Sequence, residues 1–254
     1  MDYWSTDALR TQFRIRSADY RELTVWAKDS RIDDLIVSSV PKIGARQLGA
    51  DVGAGQGRLV RRLSERGERW ISIDISEEML RAGGAPNGIV ADAKRLPIRS
   101  GALHVLVAQS ILPFVPLRSL LEEGWRVLAG GGRVVVADKV LGALVGADAG
   151  WYHELERARN PARILGLRTE ELVRQGVNQG YTCSQVHEYP IVYSEPLDTW
   201  LGRAERIPGS DVARLAELLH RRPRSVHLDM GAQRPTITYT LTWALAHFVK
   251  GGEL

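Results

Sequence analysis

An α/β chain with a mostly parallel sheet and helices on both faces is what the sequence predicts, on three observations. Between residues 46 and 138, short apolar runs alternate with segments whose apolar residues recur at helical spacing. The runs are continuously apolar, as strands covered on both faces must be. The first of them runs directly into a glycine-rich turn, Gly53-Ala54-Gly55-Gln56-Gly57, that opens a helical segment.

The first 40 residues read as helical. Ser30 is placed to cap a segment in which Ile32, Leu35 and Ile36 share one face, and Pro41 stops it. Leu48 to Val52 is a short strand, and Leu59, Val60 and Leu63 follow at helical spacing, with Gly67 at the C-terminal cap. Trp70 to Ile73 is a second strand. Ser76 caps the next helix, whose first turn carries Glu77 and Glu78 at the positive end of its dipole. Gly88–Ala91 and His104–Ala108 are the third and fourth strands. Leu117, Leu120, Leu121, Gly124 and Leu128 line a helix that Gly130 to Gly132 break, and Arg133 to Asp138 is the fifth strand.

The later chain is less regular. Residues 145–166 read as a loop-helix insert, Thr169 caps a helix running to about Gln179, and Cys183 to Tyr193 forms a strand. Residues 197–222 are helical with an interruption at Pro208-Gly209. From Thr236 to Trp243, threonines alternate strictly with Ile237, Tyr239, Leu241 and Trp243, the period of a strand. Two late strands predict an antiparallel pair ending the sheet.

Composition narrows the function classes. A chain of 254 residues can bury a full core without staples. Its single cysteine, Cys183, excludes an intrachain disulfide and argues against a cysteine-based zinc site; no metal site is expected, and a reducing cytosol fits. No basic start followed by an apolar run suggests a secretory signal, and the longest apolar runs are strand-sized. The net charge of +4 admits an anionic or nucleic-acid partner, although the arginines are scattered as on an ordinary solvated surface.

The chemistry concentrates at the glycine turn. Glycines there allow tight turning and close approach of a ligand, and the helix beyond offers unpaired N–H groups. A dinucleotide fingerprint needs a small residue three positions after Gly55, where this chain has Arg58; no Gly-Lys-Ser/Thr follows, which excludes a P-loop. The spacing favours a nucleoside without a pyrophosphate. Asp74, at the end of the second strand and 23 positions after Asp51, can accept both ribose hydroxyls. Asp92 ends the third strand and can take an adenine amine, while the Ala93 N–H can donate to a ring nitrogen. Any one acid could be a cap or a surface charge; three at successive strand ends beside a glycine loop form a set.

Asp51-Val-Gly-Ala-Gly-Gln-Gly57, Ile73-Asp-Ile-Ser-Glu-Glu-Met-Leu80, Ala91-Asp-Ala-Lys-Arg-Leu-Pro97 and Gly124-Trp-Arg-Val-Leu-Ala-Gly-Gly-Gly132 resemble class I S-adenosylmethionine-dependent methyltransferases of the ubiquinone/menaquinone C-methyltransferase type. The resemblance implies a Rossmann-like seven-stranded sheet with S-adenosylmethionine as cofactor. It places Asp51, Gly53 and Gly55, with Ala54 and Gly57 in the same loop, around the methionine part. Asp74 would hold the ribose, Ile75 and Met79 flank the adenine, and Asp92 and Ala93 read its edge. Gln109 and Ser110 would face the methionine end and the acceptor. One departure is Leu103-His104, where the family has Phe-Asp; His104 is read as serving the strand entry. A single methyltransferase domain over 1–254 is expected, with 1–44 as helical cover, 45–140 as cofactor core and 141–254 as substrate-side inserts and last strands.

Methyl transfer from a sulfonium is an in-line displacement in which alignment supplies much of the rate. A base is needed only for an undissociated hydroxyl or a carbon acid. His153 is the first candidate, with His187 and Asp138 behind it; each also has an ordinary packing role open to it. Trp151, Tyr152 and Trp200 could wall an acceptor pocket, or simply be core. Tyr3, Trp4, Phe13 and Tyr20 would cover the cofactor or acceptor if the family pattern holds, and Arg203 and Arg206 could meet an acidic substrate group. The expected acceptor is a small molecule methylated on oxygen or carbon. The rivals are an RNA methyltransferase acting on tRNA, which lacks support from any appended RNA-binding module or extended basic run, and a non-catalytic cofactor-binding protein.

Overall fold

The apolar runs become strands in the order expected. The structure, a computed structural model, describes residues 5–164, 166–231 and 233–251. The chain opens with α1 (Thr6–Arg16), α2 (Tyr20–Leu23) and α3 (Arg31–Ser39). The Ser30 hydroxyl does not cap α3; it donates to Asp34 Oδ2 at 3.0 Å. The core follows as β1 (Gly49–Val52), α4 (Arg58–Ser64), β2 (Trp70–Asp74), α5 (Glu77–Gly83), β3 (Gly88–Val90), β4 (Leu103–Gln109), α6 (Leu117–Val127) and β5 (Leu128–Val140). The remainder is α7 (Gly146–Arg159), α8 (Thr169–Asn178), β6 (Tyr181–Pro196), α9 (Leu197–Glu205), α10 (Val212–His220), β7 (His227–Asp229) and β8 (Thr236–Lys250).

The strands lie in the order β3-β2-β1-β4-β5-β8-β6, with β7 beside β8. The first five are parallel, and β8 runs antiparallel to β5 and β6. Among the described residues the sheet therefore has eight strands where seven were expected. The extra strand has a physical reason. β5 pairs β8 only from Thr242 to Val249, which leaves the edge of Thr236–Thr238 open, and β7 closes it. Gly130 to Gly132 do not break a helix. α6 ends at Val127 and β5 begins at Leu128, and the β4–β5 register jumps from Leu103↔Leu128 to Val105↔Arg133, so residues 129–132 form a bulge within β5. Arg168, not Thr169, is the N-cap of α8; the Thr169 hydroxyl bonds Glu188.

Burial on both faces explains the unbroken apolar runs. Along β4, Val105 and Val107 join Ile36, Leu59, Leu63 and Trp243 on one face. Leu106 and Ala108 join Leu120, Leu121 and Phe248 on the other. A third apolar cluster gathers Leu155, Trp200, Leu215 and Leu218 with Ile237, tying α7, α9 and α10 to β8. Among the described residues, no helix is long and apolar enough to cross a membrane. Strand order reverses between β1 and β4, and a crevice opens there at the carboxyl ends of the strands.

Candidate active site

The glycine loop is fixed to β2 by its own backbone. The N–H groups of Gly53 and Ala54 donate to the Ile73 carbonyl at 2.8 and 3.0 Å. Gly55 N–H donates to Asp74 Oδ2 at 2.8 Å. Gly53 has φ +78°, and a Cβ there would stand 2.8 Å from Ile111 Cδ1, so only glycine fits without displacing the crevice wall. Asp74 receives a second bond, from Ser76 N–H at 2.9 Å, and the Ser76 hydroxyl in turn caps α5 by accepting from Met79 N–H. Loop, Asp74 and helix start thus form one hydrogen-bonded unit.

Acidity gathers at this loop. Asp51 is buried, and among the described residues its Oδ1 has no hydrogen-bond partner. Burial pushes its pKa up to about 8, helped by the neighbouring Asp33 and Asp74 carboxylates. Burial also raises Asp74, against the N–H groups of Ser76 and Gly55. Asp33 of α3 pairs with Arg58, Nε to Oδ2 at 2.9 Å, and accepts from Gln109 Nε2 at 2.9 Å. Burial still wins over Arg58 and raises the Asp33 pKa. The arginine that breaks the dinucleotide fingerprint is therefore the clasp that holds the N-terminal cover on the loop. Its Nη1 also donates to the Asp29 carbonyl at 3.1 Å. Replacing Arg58 by alanine leaves Asp33 as an uncompensated buried charge and is expected to destabilise the fold by about 3 kcal/mol. Urea unfolding of the variant measures this, and a change under about 0.5 kcal/mol would show that the clasp adds nothing.

One cavity, about 100 Å³, is lined by Gly53, Gly55, Asp74, Ile75, Met79, Asp92, Ala93, Gln109 and Ser110. An adjoining lobe, about 290 Å³, is bordered by Asp51, Ala54, Gln56 and Arg58. Gly57 borders neither; it caps α4 at φ +70° and packs on Ala85. The cavity is tight because α1 lies across it. Thr6 Oγ1 donates to Asp92 Oδ2 at 3.0 Å, Arg10 Nε to the Ile75 carbonyl at 3.3 Å, and Gln56 Nε2 to the Ser17 carbonyl at 3.0 Å. Phe13 and Tyr20 line the cavity; Tyr3 and Trp4 lie outside the described residues. His104 Nδ1 accepts from Leu48 N–H at 3.4 Å, at the strand entry.

Several of the residues expected on the acceptor side lie apart from this cavity. Trp151, Tyr152 and Trp200 do not line this cavity; they border a second one, about 310 Å³, between α7, α9 and β8. The reason is the inward face of α7, which packs on α10 and β8 instead of on the glycine loop. The aromatic walls of the first cavity are Phe13, Tyr20, Trp26 and Phe114. His153 does not reach it either, and borders a small cleft with Arg157 and Gly166, where burial lowers its pKa. Asp138 braces backbone, accepting from Leu112 N–H at 2.7 Å and Lys139 N–H at 2.8 Å. His187 is exposed on β6. Arg203 is paired with Glu195, and Arg206 with Asp19.

The sequence reading missed Lys139, Arg16 and Arg163. Ser110 sits at φ +58°, strained for a residue with a side chain, and lines the cavity. Its hydroxyl meets Lys139 Nζ at 2.5 Å. Lys139 is sandwiched 4.1 Å from the Trp26 ring and 4.6 Å from the Trp243 ring. Burial pulls its pKa down to about 8, against the nearby Asp138. A lysine inside a buried strand was the available signal.

Strand order, glycine loop and acids at successive strand ends together give the Rossmann-like α/β fold that solved methyltransferases share. Residues 50–136 match a family model described as a methyltransferase domain. No curated protein matches the chain in sequence. Among solved structures, YcgJ from Bacillus subtilis is similar over 87% of this chain and 99% of its own, with TM-score 0.71 and 19% identity. The [4+2]-cyclase SpnF is similar over 98% and 97%, with TM-score 0.67 and 13% identity. Geranyl diphosphate C-methyltransferase from Streptomyces coelicolor, solved with Mg2+, geranyl diphosphate and S-adenosyl-L-homocysteine, is similar over 87% and 79%, with TM-score 0.57 and 14% identity.

Proposed function

We propose that this protein transfers the methyl group of S-adenosylmethionine to a small-molecule acceptor, on oxygen or carbon, from one domain spanning the chain. The carrying observation is the unpartnered Oδ1 of buried Asp51, beside Asp33 and Asp74. Three buried carboxylates, of which only Asp33 is ion-paired with an arginine, favour a ligand with cationic groups, such as an ammonium and a sulfonium, over a pyrophosphate. Asp51 and the Gly53–Gly55 loop would hold the methionine part, and the free lone pairs of Asp74 the ribose hydroxyls. Asp92, Ala93, Ile75 and Met79 would take the adenine, once Thr6 gives up its bond to Asp92. The cofactor supplies an activated methyl group; the chain aligns the acceptor and excludes water. Where the acceptor must lose a proton, Ser110 on the cavity wall, backed by Lys139, is the group placed to accept it, in place of His153. The motif resemblance to ubiquinone-type C-methyltransferases supports the small-molecule class, as does a fold neighbour that acts on geranyl diphosphate.

Calorimetric titration with S-adenosylhomocysteine, beside NADH, tests the cofactor. Micromolar binding of the first and none of the second is expected. A cyclase shares this fold, so transfer itself needs its own measurement. With cofactor labelled in the methyl group, label is expected in the small-molecule fraction of a cell extract. Label in the RNA fraction would overturn the acceptor class, and no transfer by a cofactor-binding protein would overturn catalysis.

A further inference from the structure

The cavity wall also has a basic side, built by α1 and by the segment between α7 and α8. Arg16 and Arg163 both line it. Arg16 is 7% exposed, its Nε has no hydrogen-bond partner, and no carboxylate pairs with it among the described residues. Its guanidinium lies 5.6 Å from the ring centres of both Phe13 and Tyr20. Burial first, and the nearby Arg163 and Arg159 with it, pull its pKa down to about 10. Ile164 N–H donates to the Pro113 carbonyl at 2.7 Å, which ties the segment carrying Arg163 to the turn carrying Phe114.

The acids on this side do not balance the cations. Glu156 serves both Arg159 and Arg163. Asp138 accepts two backbone N–H groups and stands 3.5 Å from Lys139 Nζ. Arg16, Lys139, Arg159 and Arg163 thus face two carboxylates. Burying a guanidinium with no counter-charge is costly, and an anionic ligand removes that cost. The adjoining wall is apolar: Leu9, Val115 and the rings of Phe13 and Phe114, which meet edge to face at 5.1 Å.

We propose that Arg16 and Arg163 form an oxyanion subsite that binds a carboxylate or phosphate group of the methyl acceptor, with Phe13 and Phe114 against its apolar part. That the anion belongs to the acceptor rests on the methyltransferase reading. The cofactor's own carboxylate is the competing occupant. The lobe beside Asp51 and Ala54, where the methionine part is placed, is bordered by Arg21, Arg58 and Arg61 and by neither Arg16 nor Arg163.

The test titrates protein saturated with S-adenosylhomocysteine with hexyl phosphate, hexanoate and hexanol. At least one anion should bind about tenfold or more tightly than the alcohol. The preferred anion identifies the oxyanion. R16L should remove that advantage while leaving S-adenosylhomocysteine affinity within about twofold. R163M provides a second reading if R16L melts early by circular dichroism. Equal binding of the alcohol and both anions overturns the subsite, as does an anion preference that survives in the folded variants. A parallel loss of S-adenosylhomocysteine affinity in R16L would assign Arg16 to the cofactor instead. If the wild-type protein binds no S-adenosylhomocysteine, the cofactor reading fails, and the same titrations on ligand-free protein still decide the subsite.

Discussion

Replacing Asp74 by alanine raises the dissociation constant for S-adenosylhomocysteine by about 100-fold or more, the largest effect expected of any single change at the loop. Two losses combine. The ribose hydroxyls lose a charged acceptor, and hydrogen bonds to charged groups contribute about 1.5–3 kcal/mol each. The loop also loses the bond from Gly55 N–H to Oδ2, and the start of α5 the bond from Ser76 N–H to Oδ1. Each N–H left unpaired in a buried place costs about 1–3 kcal/mol, so the variant must be shown to fold. Asp74→Asn keeps one acceptor and the side-chain volume, and separates binding from folding. Asp92→Ala is the internal contrast. Its side chain is 25% exposed and already engaged by Thr6 and Lys94, so about a tenfold loss is expected there. Calorimetry on all three variants, with thermal melts beside it, decides the matter. An Asp74→Ala protein that melts normally and binds S-adenosylhomocysteine within threefold of wild type would falsify the assignment.

Much of this site was legible because its signals are local. A glycine loop straight after an apolar run and an acid at the end of each of three strands can be read without knowing what packs where. Phe13 and Tyr20 followed from the family pattern and do line the cavity. The acceptor side depends on long-range packing instead. Trp151 and Trp200 do wall a cavity, but a different one from the glycine-loop cavity, because α7 turns Trp151 toward α10, where its Nε1 donates to the Leu218 carbonyl at 2.8 Å. Arg58 read as a mark against a dinucleotide, and nothing near it in sequence announces that Asp33 is its partner. The one available hint was an acid next to Ile32 on a helix that needed an apolar face. Lys139 was hidden in the same way: its neighbours in sequence are strand residues, while Trp26 and Trp243, which surround it, lie more than 100 residues away from it or from each other. The eighth strand is a matter of length, since only the register shows how far β8 outruns β5.

Asp51 gives the second large effect, a dependence of cofactor affinity on pH with a definite sign. Its carboxyl is pushed up from 3.8 to about 8, with burial the first cause. In the ligand-free protein below pH 8 it is therefore mostly protonated, and the folded state holds a proton that the unfolded chain has released. The sign for stability follows: a raised carboxyl pKa makes the fold lose stability as pH climbs from about 4 to about 8. For the ligand the sign reverses. A cationic ammonium placed beside Asp51 needs the carboxylate, so binding expels the proton. Affinity for S-adenosylhomocysteine should rise by as much as about tenfold per pH unit below 8 and level off above it. Calorimetry at pH 6.5 in two buffers of different ionisation enthalpy should report release of about one proton per ligand bound, falling toward zero above pH 9. Asp51→Asn cannot release that proton, so its residual affinity should be flat over the same range. A wild-type protein that exchanges no proton with buffer would mean that the ligand meets Asp51 in its neutral form, and the loop would then select its ligand by shape and backbone N–H groups alone.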